Sequence, residues 1–210
     1  MPPAVTTLTL DAALDGCSAG LVQDGIVAAE RRAPGGRGSA AALPALADEV
    51  LRIAGIPASS LAGIAVTIGP GSFTGVRAAL ALAHGIGLGA GVPVWGVTVG
   101  AALRAATPDT RPIWVAIDSK RGRIFLDRAG TVATVPLDAL PNPDGPVAIA
   151  GDAANAVASR LAAKGFDVKL LPARLPAAAG IAAAERVAPL PLYVDPPEAR
   201  PGPAGRPAPA

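Results

Sequence analysis

The sequence predicts a mixed α/β protein of two lobes, and three observations carry that expectation. The segments LTLDAALDGCSAGLVQDG (8–25) and VAIDSKRGRIFLDRAG (115–130) share one order: strand, Asp, polar loop, strand, Gly-terminated turn. They read as an internal duplication, with two unrelated hairpins as the alternative. Between them, IAVTIGPGSFTGVRAALALAHGIGLGAGVPVWGV (64–97) reads as buried strand, turn, long helix and second buried strand. Each half goes on from its hairpins to further strands and helices, which is the pattern of sheets covered by helices. The expected division is a first lobe at 1–104, a smaller second lobe at 105–195, and a disordered Pro/Gly/Ala tail at 196–210.

The elements follow in chain order. Val5 to Leu10 alternates Thr with apolar residues and enters a loop at Asp11. Cys17–Val22 and Ile26–Glu30 are the next strands, joined by the tight turn Gln23-Asp24-Gly25. Arg32 to Ser39 is a mobile Gly/Arg-rich loop. Leu43, Leu46, Ala47, Val50, Leu51 and Ala54 recur at helical spacing, opposite Asp48, Glu49 and Arg52, and Gly55 ends that helix. Ile64–Ile68 is an apolar run typical of a strand covered on both faces. Gly69-Pro70-Gly71 stops it, Ser72 or Thr74 caps the helix that follows, and Gly91 and Pro93 end that helix. Thr98–Ala106 is a helix, and Trp114–Ile117, Arg123–Asp127 and Val132–Val135 are strands. Pro136–Pro146 is a connector. Val147–Ala150 is a strand, Ala154–Lys164 a helix, Val168–Leu171 a strand, and Ala177–Val187 a helix.

Composition narrows the function classes. The chain is 51% hydrophobic but only 3% aromatic, so its core is built from Ala, Val, Leu and Ile. A net charge of +2 is too small to indicate nucleic-acid binding by itself. With Cys17 as the only cysteine, no intrachain disulfide forms, which fits a reducing compartment. No signal peptide is expected in MPPAVTTLTLD. Ala78–Gly100 carries His84 as its one titratable group, but Pro93 and glycines interrupt it, so no membrane span is expected. The expected location is cytoplasmic.

The helix after the turn carries Ala79, Ala83 and Gly87 on one ridge with almost no side-chain bulk. Interior glycines cost about 1 kcal/mol each relative to alanine. The ridge is expected to recover that cost by close packing against another helix, the alternative being the chain's own sheet. The turn Gly69–Gly75 presents helix-terminal amides and two hydroxyls, so Gly71, Ser72 and Thr74 form a candidate anion site. The alternative is a tight, hydroxyl-capped turn. No Lys-Ser/Thr pair follows the glycines, so it is not a P-loop.

The motif GPGSFTGVR, the Ala/Gly-rich helix after it and VPVWGVT resemble the TsaB family, formerly YeaZ. Support is weaker in the flanks, from TLTLDAALDGCSAGLVQDG to PLYVDPPEAR. The resemblance implies two ribonuclease-H-like lobes of the actin/Hsp70/sugar-kinase (ASKHA) architecture. It implies a non-catalytic subunit that binds a TsaD-like catalytic subunit. With a TsaE-like ATPase, that pair transfers a threonylcarbamoyl group to tRNA adenosine beside the anticodon. ATP and metal are then expected on the partner subunits and none on this chain, with tRNA met through the complex. The implied interface uses Leu43, Leu46, Val50, Thr74, Arg77, Ala79, Ala83 and Gly87, and free copies pair into a homodimer through the same surface.

Within the actin-like superfamily, carboxylates at strand ends orient metal-bound phosphates, which makes Asp11 and Asp118, with Asp152, candidates for a degenerate nucleotide site. Asp11 is followed by Ala-Ala-Leu, not by small hydroxyl and glycine residues; Asp is also an ordinary turn residue. The catalytic relatives carry a pair of metal-ligand histidines on the helix that holds His84, but here the flanking positions are Leu80 and Leu88. No metal site and no catalytic residue are expected, and the old peptidase M22-like label of the superfamily gains nothing from Cys17 and His84. Lys120, Arg121 and Arg123, and Arg31, Arg32 and Arg37, are basic clusters suited to phosphates or to solvent. The alternative function is an ATP-dependent small-molecule kinase of the same superfamily.

Overall fold

The structure is a computed structural model, and it describes residues 5–36 and 38–195. Arg37 and the expected disordered tail at 196–210 lie outside the described residues. Five strands form the first sheet: β1 Thr6–Asp11, β2 Cys17–Gln23, β3 Ile26–Ala33, β4 Gly63–Thr67 and β5 Val94–Val97. Their order is β3-β2-β1-β4-β5, with β1 to β3 antiparallel and β4 and β5 parallel to β1. The second sheet holds β6 Ile113–Asp118, β7 Arg123–Arg128, β8 Thr131–Pro136, β9 Val147–Ala150 and β10 Val168–Leu170. Its order, β8-β7-β6-β9-β10, repeats the first with every strand advanced by five and the same mix of directions. Both second hairpins turn through two left-handed residues, Asp24-Gly25 and Ala129-Gly130. The duplication in the sequence is therefore a duplication of architecture, two ribonuclease-H-like lobes of the actin-like kind.

Alternation along the strands sends Leu8, Leu10, Ile64 and Val66 to one face of the first sheet. There they meet Leu43, Ala47 and Val50 of α1 (Leu43–Ala54) and Val76, Ala79, Leu80 and Ala83 of α2 (Phe73–Ala90). On the opposite face Ala65 and Val97 pack with Ala102 of α3 (Val99–Ala106) and Ile181 of α5 (Ala178–Ala183). The outer face of the second sheet is covered by α4 (Ala154–Ala163) through Val157 and Leu161.

The last helix of each half covers the other half. Val99 and Leu103 of α3 share a core with Val115 and Ile117 of β6, whereas α5 lies against β2. Small residues let α5 approach both β2 and α3: a Cβ on Gly20 would lie 2.3 Å from Ala178 Cβ, and one on Gly180 would lie 2.4 Å from the Ala102 carbonyl oxygen. Arg104 of α3 pins the arrangement to the buried Asp127 of β7. Its Nη2 donates to Oδ2 at 3.1 Å, and Nη1 lies 3.0 Å from Oδ1 in ion-pair contact but off the hydrogen-bond direction. The residues after 177 thus run back over the first sheet, although the sequence groups them with the second lobe.

Three sequence expectations change. The Gly/Arg-rich loop begins later than Arg32, because β3 continues to Ala33 with Arg32 paired to Ser18 and Arg32 Nη2 donating to the Pro176 carbonyl at 2.7 Å. The helix expected over Ala177–Val187 stops at Ala183. Val187 is needed as extended chain on the edge of β5, where it and Gly96 exchange two 2.9 Å hydrogen bonds. The ridge Ala79-Ala83-Gly87, expected at a partner interface, lies in the chain's own core. Ala79 and Ala83 are fully buried, and a Cβ on Gly87 would meet Val94 Cγ2 at 2.6 Å. Small residues are needed there because α2 sits close on β4 and β5. Leu43 and Val50 are fully buried for the same reason on the α1 side, and Leu46 is half-buried.

By length and composition α2 could cross a membrane, but its Val76, Ala79, Leu80 and Ala83 belong to the core over the sheet.

The ridge assignment makes a mutational contrast. Ala83→Glu places an unpaired charge in a dry core at a cost of several kcal/mol, a large part of the roughly 5–15 kcal/mol that holds such a domain folded. It should lose cooperative thermal unfolding by circular dichroism. Ala81→Glu, on the exposed side of the same helix, should melt within a few degrees of the wild type. A folded Ala83→Glu protein would contradict the packing described.

Candidate functional site: the central turn and the outer face of its helix

The central turn is seated on the loop that follows β1. Ser72 N donates to the Ala13 carbonyl at 2.6 Å. A Cβ on Gly71 would lie 2.0 Å from that oxygen, and one on Gly75 would lie 1.9 Å from the Ala12 carbonyl oxygen. The motif needs glycine at both positions because two backbones touch there. Ser72, not Thr74, is the N-cap: its Oγ accepts from Gly75 N at 3.1 Å. The amides of Ser72 and Gly75 are thereby engaged inside the chain, and carbonyl oxygens face the helix start. The geometry is that of the capped turn, the plainer of the two readings of Gly71, Ser72 and Thr74.

Asp11 stands beside this seat, fully buried. Its Oδ1 accepts from Thr67 Oγ1 at 2.6 Å and from Ala13 N at 3.1 Å. Burial pushes its carboxyl above the ordinary 3.8, while the Thr67 and Ala13 hydrogen bonds pull the other way. The carboxylate holds the loop that carries Ala12 and Ala13, and so indirectly the turn.

Asp118 occupies the corresponding place in the second lobe and makes the corresponding turn, accepting from Lys120 N at 2.7 Å. Asp152, after β9, accepts from Asp118 N at 2.9 Å. The Lys120 ammonium lies 3.3 Å from Asp118 Oδ2 and 4.0 Å from Asp152 Oδ2, an atom that is buried and accepts no hydrogen bond. Burial also raises the Asp152 carboxyl, with the Asp118 amide and Lys120 opposing. The chain's own ammonium therefore sits between the two carboxylates. Asp11 and Asp118 belong to different sheets, and each is spent on its own loop. Among the described residues no group of three or more His, Cys, Asp or Glu is arranged to hold a metal.

The second candidate is the surface of α2 turned away from the sheet. Thr74, Arg77, Ala81, His84, Gly85, Leu88 and Gly89 are exposed, and among the described residues Leu88 at 88% is the most exposed large apolar side chain. Arg77 and His84 are the face's only ionisable groups. Nothing lies within 4 Å of a Cβ built on Gly85 or Gly89. At the start of the helix Arg77 lies over the Phe73 ring and donates to Tyr193 Oη at 3.0 Å. On α1, Pro44, Ala45, Asp48, Arg52 and Ile53 are exposed. Of the residues the resemblance assigns to an interface, the structure leaves Thr74 and Arg77 exposed; on the same face it also exposes Leu88, which the resemblance did not include. Leu88 was legible: it stands between exposed glycines, half a turn from the buried ridge.

Cys17 is buried, its thiol raised by burial and donating to the Ser39 carbonyl at 3.2 Å. Of the basic clusters, Arg31 pairs with Glu49 and Arg123 with Asp195.

Comparison with known proteins adds the following. The family model of tRNA N6-adenosine threonylcarbamoyltransferase (TsaD) matches residues 31–166. An uncharacterised protein of Mycobacterium tuberculosis is 33% identical over 216 residues, covering 93% of this chain and 94% of that one. The tRNA threonylcarbamoyladenosine biosynthesis protein TsaB of Escherichia coli is 33% identical over 122 residues, 56% of this chain and 52% of its own. The structure of YeaZ from Pseudomonas aeruginosa superposes with a TM-score of 0.73 at 26% identity, over 90% of this chain and 99% of that one.

Two measurements check the site. By helix propensity alone, Gly75→Ala and Gly85→Ala should each stabilise by about 1 kcal/mol. Overpacking against the Ala12 carbonyl should instead make Gly75→Ala destabilising by roughly 1–3 kcal/mol, with Gly85→Ala stabilising, in urea melts. The second concerns pH. Because the folded pKa of Asp11 is raised, its contribution to stability is complete below 3.8 and is lost as pH rises through the folded value. The stability of wild type relative to Asp11→Asn should therefore increase as pH is lowered from 7 towards 4; a constant difference or the opposite trend contradicts the burial of that carboxyl.

Proposed function

The chain belongs to the TsaB (YeaZ) family, and from that premise we propose that it is the non-catalytic subunit that binds a TsaD-like catalytic subunit. Family membership carries a role in the biosynthesis of tRNA threonylcarbamoyladenosine. The finer reading is that this chain supplies surface and position, while a TsaE-like ATPase and the TsaD-like subunit supply nucleotide, metal and acyl-transfer chemistry. tRNA is met within that complex, in the cytoplasm, and a free copy pairs with a second copy until the catalytic subunit displaces it.

One observation carries this reading: the outer face of α2. Two glycines there cost the helix about 1 kcal/mol each and make no close contact within the chain, while Leu88 is held in water. Small residues flanking one large apolar residue suit the close approach of a second helix, which gains dispersion contacts along the seam. The buried ridge is spent on the sheet, so this opposite face is the one available to a partner. The same chemistry weakens the kinase alternative. In the first lobe the Ala12 and Ala13 carbonyls fill the helix start, and in the second Lys120 lies between Asp118 and Asp152.

The test is capture of a co-expressed TsaD-like subunit by the full chain, followed by calorimetry. Leu88→Glu leaves the fold intact and should weaken the complex by about 100-fold, since an unpaired charge buried in an interface costs several kcal/mol. The isolated chain should turn over neither ATP nor tRNA. Wild-type affinity in a folded Leu88→Glu protein, or ATP turnover abolished by Asp11→Asn, contradicts the proposal.

A further inference from the structure

The sequence has two Trp, one Tyr and three Phe. In so aromatic-poor a chain, two of these rings stand exposed side by side: Phe73 at 59% and Tyr193 at 53%. Their sequence positions are far apart, and the C-terminal segment brings them together. Val187 pairs with Gly96, and Leu192 N donates to the Ile68 carbonyl at 2.8 Å, which lays Tyr193 beside the start of α2. The ring centroids are 6.0 Å apart with a 34° tilt.

Arg77 completes the group. Its guanidinium carbon lies 3.6 Å from the Phe73 centroid and 5.5 Å from that of Tyr193, and Nε donates to Tyr193 Oη. Among the described residues no carboxylate pairs with it, whereas Arg31, Arg104, Arg111 and Arg123 each have one. The two rings flank the guanidinium and carry no charge to offset it. Core packing does not require this cluster, since Phe73 and Tyr193 belong to none of the buried cores.

We infer that Phe73, Arg77 and Tyr193 form a stacking platform for a base of single-stranded RNA, with the Arg77 charge directed to the adjoining phosphate. Planar aromatic faces accept any base, and an unpaired guanidinium adds both stacking and a phosphate contact. The choice of RNA rests on the family's role in tRNA modification. The inference goes beyond it by giving this chain a direct contact of its own at the start of α2, with Arg77 eleven residues, roughly 16 Å along the helix, from Leu88.

Fluorescence anisotropy of a labelled RNA hairpin with an unpaired, adenine-containing loop tests it on the full chain, without any partner. Phe73→Ala should weaken binding roughly tenfold. Arg77→Lys keeps the charge but loses the planar stack, so it should lose affinity with the salt slope unchanged; Arg77→Ala should also lower that slope by about one. Tyr193→Phe, which removes only the hydroxyl that orients Arg77, should weaken binding less than Phe73→Ala. Unchanged RNA affinity in folded Phe73→Ala and Arg77→Ala overturns the inference, as does no binding by wild type. Displacement of the hairpin by AMP at equal concentration would mean a free-nucleotide site and overturns it too. If those variants lose the TsaD-like subunit but keep RNA affinity, the cluster is a protein contact and the inference fails. If the wild type binds RNA through the platform yet captures no TsaD-like subunit, the inference stands and the function proposed above falls.

Discussion

The arrangement depends on one contact between two stretches of backbone. Gly71 and Gly75 let the start of α2 settle on the carbonyls of Ala12 and Ala13, at distances that admit no side chain. Asp11, buried and bonded to Thr67 and the Ala13 amide, keeps that loop in place. With its start fixed, α2 has one possible rotation, which drives Ala79, Ala83 and Gly87 onto the sheet and leaves Ala81, Gly85 and Leu88 in water. The same contact engages the Ser72 amide with the Ala13 carbonyl, and the Ser72 hydroxyl takes the Gly75 amide, so two of the donors at the helix start are used inside the chain. A single local constraint thus sets both the turn and the rotation of the helix that follows it.

The second lobe repeats the plan with less material. Its sheet has the same order, but no helix corresponds to α1, and a 3-10 turn at Leu137–Ala139 and α4 cover the outer face. What the lobe lacks in cover it recovers by exchange. α3 and α5 cross between halves, Gly100 leaves room for Asp127, and Arg104 meets that carboxylate between the lobes. A buried ion pair is costly to break, because either partner left alone keeps an uncompensated charge. The C-terminal segment adds a further tie, from Val187 on β5 to Asp195, which accepts from Arg123 and Thr134 in the second lobe. Such a body is suited to holding a surface in a fixed position.

Most of the fold was legible in the sequence because its signals are local. Helical periodicity gave α1 to the residue, the turn residues Asp24-Gly25 and Ala129-Gly130 marked both hairpins, and the repeated strand-Asp-loop-strand order announced the duplication. The errors came where long-range contacts decide. Ala177–Val187 is as alanine-rich as a helix, but pairing of Val187 with Gly96 outweighs propensity after Ala183. The ridge of α2 reads as a close-packing surface with two possible neighbours, another helix or the chain's own sheet, and the structure selects the sheet. A stripe of small residues states that something approaches, and only the sheet's position states what. The Phe73–Arg77–Tyr193 group could not be seen at all, since its members come together only when the C-terminal segment returns to the first lobe.

The central claim is that the outer face of α2 is where this chain meets its partner. Replacing Leu88 by a photoreactive benzoylphenylalanine, with Arg160 on α4 replaced likewise as a control, tests it most directly in the presence of a TsaD-like subunit. The account predicts a covalent adduct to that subunit from position 88 and none from position 160. An adduct from 160 with none from 88, in protein that remains folded, would contradict it.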